Sequence, residues 1–93
     1  MLYNYNVRYM NYLDDYIIFL KTEKKLGVNS ITSYELDLDS FFKFFTLDVV
    51  NCTKNDILGY IGSLKGSSVS TINRHISSLK GYFNYLLENN YIR

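Results

Sequence analysis

Apolar side chains recur at helical spacing in four stretches of the chain. In the first, Met10, Leu13, Ile17 and Leu20 repeat at steps of three and four, with Tyr9 and Tyr16 beside them. This predicts a helix from about Val7 to Leu26. Lys21, Lys24 and Lys25 load its end, where cations suit the helix dipole, and Gly27 is a candidate stop. In the second, Tyr34, Leu38, Phe41, Phe42 and Phe45 predict a helix from about Ser30 to Phe45, capped by Asn29 or Ser30. Its phenylalanines could be misread as a strand, but their spacing continues that of Tyr34 and Leu38. The third runs from about Lys54 to Leu64 on Ile57, Tyr60, Ile61 and Leu64, with Thr53 and Asp56 spaced as a capping box. Gly59 and Gly62 weaken it by roughly 1 kcal/mol each relative to alanine. After a turn at Gly66, Ser67 and Ser68, the fourth runs from about Ser70 to Asn89 on Ile72, Ile76, Leu79, Phe83 and Leu86. No strand pair is visible. The expected fold is all-α, with Ile72, Ile76, Leu79 and Phe83 buried against Leu13, Ile17, Leu38 and Phe41.

Composition narrows this further. A chain of 93 residues supports one core and one domain, and 47% hydrophobic residues argue against disorder. There is no proline, which favours helix with short turns. Ten basic and nine acidic residues leave a formal charge of +1, so any phosphate-binding face needs the acids to lie elsewhere. Cys52 is the single cysteine, which excludes a disulfide framework and a thiol metal site. No apolar run reaches the length of a membrane span and no signal-peptide pattern is present, so a cytoplasmic protein is expected.

Little in the chain points to catalysis. His75 is the single histidine and falls on the margin of the fourth helix's apolar stripe, which favours a partly buried packing role. No HExxH, CxxC, P-loop or dinucleotide-binding motif occurs, so neither a metal nor a cofactor is expected. Asp14 with Asp15 and Asp37 with Asp39 point to different faces of their helices and read as solvated surface. Five of the ten tyrosines lie between Tyr3 and Tyr16, which reads as packing before it reads as a base-stacking platform.

The face of the fourth helix opposite its apolar stripe carries more information. Ser70, Arg74, Ser77, Ser78 and Gly81 cluster there, with Asn73 and Lys80 on one flank. Small polar residues around an arginine let a helix approach a DNA groove, where hydroxyls reach phosphates and arginine reaches phosphates or guanine edges. An ordinary exposed helix has a similar composition. The start of the second helix is another candidate. Ser30, Thr32 and Ser33 sit near free backbone N–H groups that favour a phosphate, with Lys24 and Lys25 just before them, although simple capping accounts for them equally.

Three pieces of the chain, in order, carry a family resemblance between Tyr12 and Leu87. They are Leu13-x-x-Tyr16 through Phe19-Leu20 with Glu23-Lys24-Lys25-Leu26; then Ser30-Ile31-x-x-Tyr34-x-x-Asp37-Leu38-x-x-Phe41-x-x-Phe44; and Ser70-Thr71-Ile72-Asn73-Arg74-His75-Ile76-Ser77-Ser78-Leu79-Lys80-x-Tyr82-Phe83-x-Tyr85-Leu86. The last two are similar to the patterns T-x-x-x-Y-x-x-D-L-x-x-F and T-I-x-R-x-L-S-x-L-R-x-F-x-x-F/Y-L. With these pieces the chain resembles the N-terminal core-binding, or SAM-like, domain of phage-integrase and Xer-type tyrosine recombinases.

The resemblance implies a compact four-helix orthogonal bundle that forms half of a clamp on double-stranded DNA in integration and recombination. The second and fourth helices would approach the major groove. It also implies a C-terminal catalytic domain in the parent protein, holding the nucleophilic tyrosine, and a parent that assembles as a tetramer on DNA. The chain ends at Arg93, about where the family has a linker, so none of its ten tyrosines is expected to be the nucleophile. The DNA-facing residues carried over are Lys24, Ser30, Thr32 and Ser33, and on the fourth helix Ser70, Arg74, Ser77, Ser78 and Lys80. Glu35 and Leu36 stand where many relatives are basic, and Ser70 where some have a long polar side chain, which weakens the electrostatic case. The competing expectations are a SAM-like protein–protein interaction module and a self-contained enzyme.

Overall fold

The computed structural model describes Arg8 and residues 11–93. Tyr3, Tyr5 and Tyr9, which belong to the tyrosine-rich stretch, and the expected first turns of the first helix lie outside the described residues. Among the described residues four α-helices follow one another: α1 (Leu13–Thr22), α2 (Val28–Phe44), α3 (Lys54–Ser63) and α4 (Val69–Glu88), with a short 3-10 turn at Val49–Asn51. Among the described residues there is no strand, and the molecule measures 34 × 29 × 29 Å.

Each helix boundary has a local cause. α1 begins at Leu13 because Tyr12, just before it, takes a left-handed conformation with φ 60°. It ends at Thr22, before the expected Leu26, because Lys25 also turns left-handed at φ 55° and the Leu26 N–H reaches back to the Leu20 carbonyl. Gly27 is therefore not the stop of α1. It is the N-cap of α2, which starts at Val28, two residues before the expected Ser30. At α3 the expected capping box is formed: Thr53 Oγ1 accepts from the Asp56 N–H at 3.2 Å, and Asp56 Oδ2 accepts from the Thr53 N–H at 2.8 Å. α4 is capped by the Ser68 side chain and closes in a Schellman arrangement. Asn90 is left-handed at φ 61°, and the Tyr91 N–H bonds the Leu86 carbonyl.

The core forms where the four apolar faces meet. Leu13, Tyr16, Ile17 and Leu20 of α1 pack with Ile31, Leu38, Phe41 and Phe42 of α2, Tyr60 of α3, and Leu79, Tyr82, Tyr85 and Leu86 of α4. Edge-to-face ring pairs link Phe41 to Tyr60, Phe42 to Tyr82, and Tyr16 to Tyr82, an arrangement that aromatic quadrupoles favour.

The buried face of α4 is rotated from the one expected. Leu79 and Leu86 are buried, but Ile72 and Phe83 are half-buried and Ile76 is 37% exposed. Instead His75, Ser78, Tyr82 and Tyr85 turn inward. The reason is that their polar atoms find partners inside. Tyr82 Oη donates to the Asn11 carbonyl at 2.6 Å, and Asn11 Oδ1 accepts from the Val49 N–H at 2.8 Å, so one buried asparagine ties the 3-10 turn to α4. Burying a polar group is costly only when it is unbonded, and no described buried side-chain polar atom lacks a partner.

Candidate nucleic-acid interface

The α2–α4 seam is organised by one carboxylate. Asp37 is the third residue after Tyr34 and the fourth before Phe41, so it falls at the edge of the α2 core face and is only 3% exposed. Across the seam, the Arg74 Nε donates to Asp37 Oδ2 at 3.0 Å and Nη2 donates to Oδ1 at 2.7 Å. Ser78 Oγ donates to Oδ2 at 2.8 Å, and the His75 Nε2 lies 3.4 Å from Oδ1. His75 Nδ1 in turn lies 2.9 Å from the Tyr60 hydroxyl, which donates to Ser40 at 3.0 Å. Burial by itself pushes the Asp37 carboxyl up. The Arg74 and Ser78 hydrogen bonds and the nearby His75 and Arg74 outweigh it and hold the group below the ordinary carboxylate range.

This network corrects two expectations. Asp37 is not solvated helix surface; it is the buried centre of the seam. Ser78 is 1% exposed and spends its hydroxyl on Asp37, so it is not on an outer face. Gly81 also serves the inside: a Cβ there would sit 2.7 Å from the Tyr16 hydroxyl, so the missing side chain admits α1 and not an external groove. The signal for Asp37 was an acid at an apolar-stripe position. The signal for Ser78 was its i+4 spacing from Arg74.

The remaining expected residues lie on the outside. Ser70, Ser77 and Lys80 are exposed along α4 with Asn73 and Asn84, and the Arg74 side chain is 46% exposed despite its bond to Asp37. Ser30 and Thr32 are exposed and Ser33 is half-buried. Ser30, Ser33 and Asp37 share one stripe of α2, and Ser70, Arg74 and Ser77 share one stripe of α4. The Asp37–Arg74 fork therefore joins the two expected patches along one seam. Lys24 lines a shallow pocket with Gly81, Asn84 and Glu88, at the C-terminal half of α4. Because α2 starts at Val28, only Ser30 sits in its first turn; the backbone N–H groups of Thr32 and Ser33 lie beyond the unpaired first turn, contrary to expectation.

Glu35, the acid expected to weaken this surface, is occupied by Arg8. Arg8 donates to Glu35 at 2.6 Å and to Asp39 at 3.3 Å, and pairs with Asp14 at 2.6 Å. Glu35 and Asp39 meet Arg8 on the other side of α2 from Ser30 and Ser33. Sequence reading did not single out Arg8, which lies 27 residues from Glu35. Cys52 is half-buried, and burial pushes its thiol up to about 11. Among the described residues no group of acids, histidine and cysteine could hold a metal ion, and no helix is long and apolar enough to cross a membrane.

The match to "Phage integrase, N-terminal SAM-like domain" covers residues 13–90. The chain belongs to this SAM-like family. It is also similar to curated tyrosine recombinases: 32% identical over 82 residues to the tyrosine recombinase XerD of Oceanobacillus iheyensis, and 37% over 82 residues to that of Listeria innocua. Each alignment covers 81% of this chain and 28% of the relative. A putative tyrosine recombinase of Caldanaerobacter subterraneus is 35% identical over 77 residues, covering 77% of this chain and 27% of that protein. The chain thus spans little more than a quarter of the length of the curated relatives it matches. No solved structure gives a significant match.

Proposed function

We propose that this SAM-like domain binds duplex DNA as one half of a clamp in a site-specific tyrosine recombinase. The other half would be a C-terminal catalytic domain of the same parent, which assembles as a tetramer on DNA and supplies the strand-cleaving chemistry. The observation that carries this reading is the outer face of α4. From Ser70 to Asn84 it holds no acid, and its exposed serines, asparagines, Lys80 and Arg74 can meet phosphates and base edges. The α2 acids that would repel phosphates are held by Arg8 and Arg74. The proposed contacts are Lys24, Ser30, Thr32, Ser33, Ser70, Arg74, Ser77 and Lys80.

NMR titration with a short duplex tests this. Shifts should gather at Ser30 to Ser33 and Ser70 to Lys80, with an affinity of roughly 10⁻⁴–10⁻⁶ M. If about four phosphates are neutralised at about −0.9 each, log K should fall with log salt at a slope near −3.6. Lys54→Ala, at the first turn of α3, should change little. A suicide substrate should form no covalent adduct with the 93-residue chain.

A second reading has its own observation. An open groove of about 350 Å³ between α3 and α4 is lined by Ile57, Leu58, Ile61, Ile76 and Phe83, as a protein-docking surface would be. If millimolar duplex at low salt moves no resonance, the protein-interaction reading replaces the DNA-binding one.

A further inference from the structure

A guanidinium has five N–H donors in a rigid plane. Asp37 engages Arg74 side-on, through Nε and one N–H of Nη2. That geometry leaves the end of the fork complete: both N–H groups of Nη1 and the second of Nη2. No described residue bonds Nη1, and the side chain remains 46% exposed between Ser70 and Ser77. Asp37 itself cannot follow the arginine outward, since it is buried and held from behind by Ser78 Oγ at 2.8 Å, with His75 Nε2 3.4 Å away.

We propose that Asp37 is a positioning residue for DNA binding: it fixes the Arg74 guanidinium so that its free fork meets a pair of acceptor atoms on the duplex. The pair is either the two non-bridging oxygens of a phosphodiester or O6 and N7 of a guanine, which share this spacing and directionality. This rests on the DNA-binding reading above and adds to it a division of labour. An unattached arginine loses its rotamer freedom when it binds; Arg74 has already lost it on folding.

The proposal has a sign that charge alone does not share. Asp37 and Arg74 together are close to neutral, so the pair contributes direction more than attraction. If only charge mattered, removing the Asp37 carboxylate beside a polyanion would tighten binding. If Asp37 positions the fork, removing it loosens binding although the domain becomes more positive.

The test measures duplex affinity of the 93-residue chain at constant pH and low salt. Asp37→Asn and Arg74→Lys should each weaken binding by about tenfold, as expected for losing an oriented hydrogen bond to or from a charged group. In an Arg74→Ala background, Asp37→Asn should cause no further loss. The Arg74 Nε–H resonance should keep its position when duplex is added, because its bond to Asp37 is retained. Arg74→Ala should lower the magnitude of the salt slope by about 0.9 if the acceptors are phosphate oxygens. It should leave the slope intact and remove a guanine preference if they are base atoms. Arg74→Lys and the Nε–H resonance carry the test if Asp37→Asn does not fold. An Asp37→Asn variant that binds as tightly or more tightly, an Arg74→Lys variant that binds like wild type, or loss of the Nε–H signal on DNA would each overturn the positioning role. Wild-type chain that fails to bind duplex would sink the DNA-binding reading itself, whereas wild-type binding that ignores both substitutions sinks only the role of Asp37.

Discussion

Along α4, the flank against α2 is polar and closed, while the flank against α3 is apolar and open. On the first, Asp37 accepts from Arg74 and Ser78 with His75 beside it, and the bonds leave no described buried polar atom unpaired. On the second, Ile76 and Phe83 stand across a gap from Ile57, Leu58 and Ile61, and Tyr60 is the one α3 residue fully buried. The difference follows from directionality. A buried carboxylate tolerates only the helix register that satisfies its lone pairs, so α2 and α4 are held to one alignment. Apolar contacts have no such demand, so the side of α4 against α3 tolerates an open gap. α4 is thus fixed by one neighbour and loosely covered by the other.

Substitutions along α4 sharpen this contrast. Leu79 is buried under both flanks, so Leu79→Ala should have the largest effect, about 2–5 kcal/mol in chemical denaturation, as core truncations do. A loss near zero would mean that α4 does not anchor the bundle.

Acid should act next, and only on the polar flank. The Asp37 carboxyl is held below its ordinary value in the folded chain, so the unfolded chain takes up the proton first. Its contribution is present above about pH 4, the unfolded aspartate range, and is lost as pH falls through the lower folded value. Denaturation midpoints of wild type and Asp37→Asn should therefore differ at neutral pH and converge in that acid window. Curves that stay parallel down to the acid limit would show that Asp37 gains nothing from being ionised in the seam.

The smallest effect belongs to the open flank. Ile76 is partly exposed at the groove, and Ile76→Ser should cost less than about 1 kcal/mol, in the range of surface substitutions plus a little lost packing. A loss as large as that of Leu79→Ala would mean the groove is closed in solution.

The four helices, their order, the α3 capping box and the turn before α4 were legible in the sequence, because helical spacing and capping chemistry are local. So were the family pieces at Tyr34, Asp37, Leu38 and Phe41 and from Ser70 to Leu86. Legibility failed where a partner lies far along the chain. Ile76 carries the apolar pattern yet is left at a groove, while Ser78 and Tyr82 break the pattern yet are buried.

By itself, then, the sequence determined the helical class, the segments that form it and the family to which it belongs. The inward face of α4, the burial of Asp37, and the pairing of Glu35 and Asp39 with Arg8 were decided only by tertiary structure. Hydrophobicity ranks residues one at a time, whereas a polar side chain is stable inside only if a second group meets it. The partners here, Asp37 with Arg74 and Asn11 with Tyr82, lie 37 and 71 residues apart.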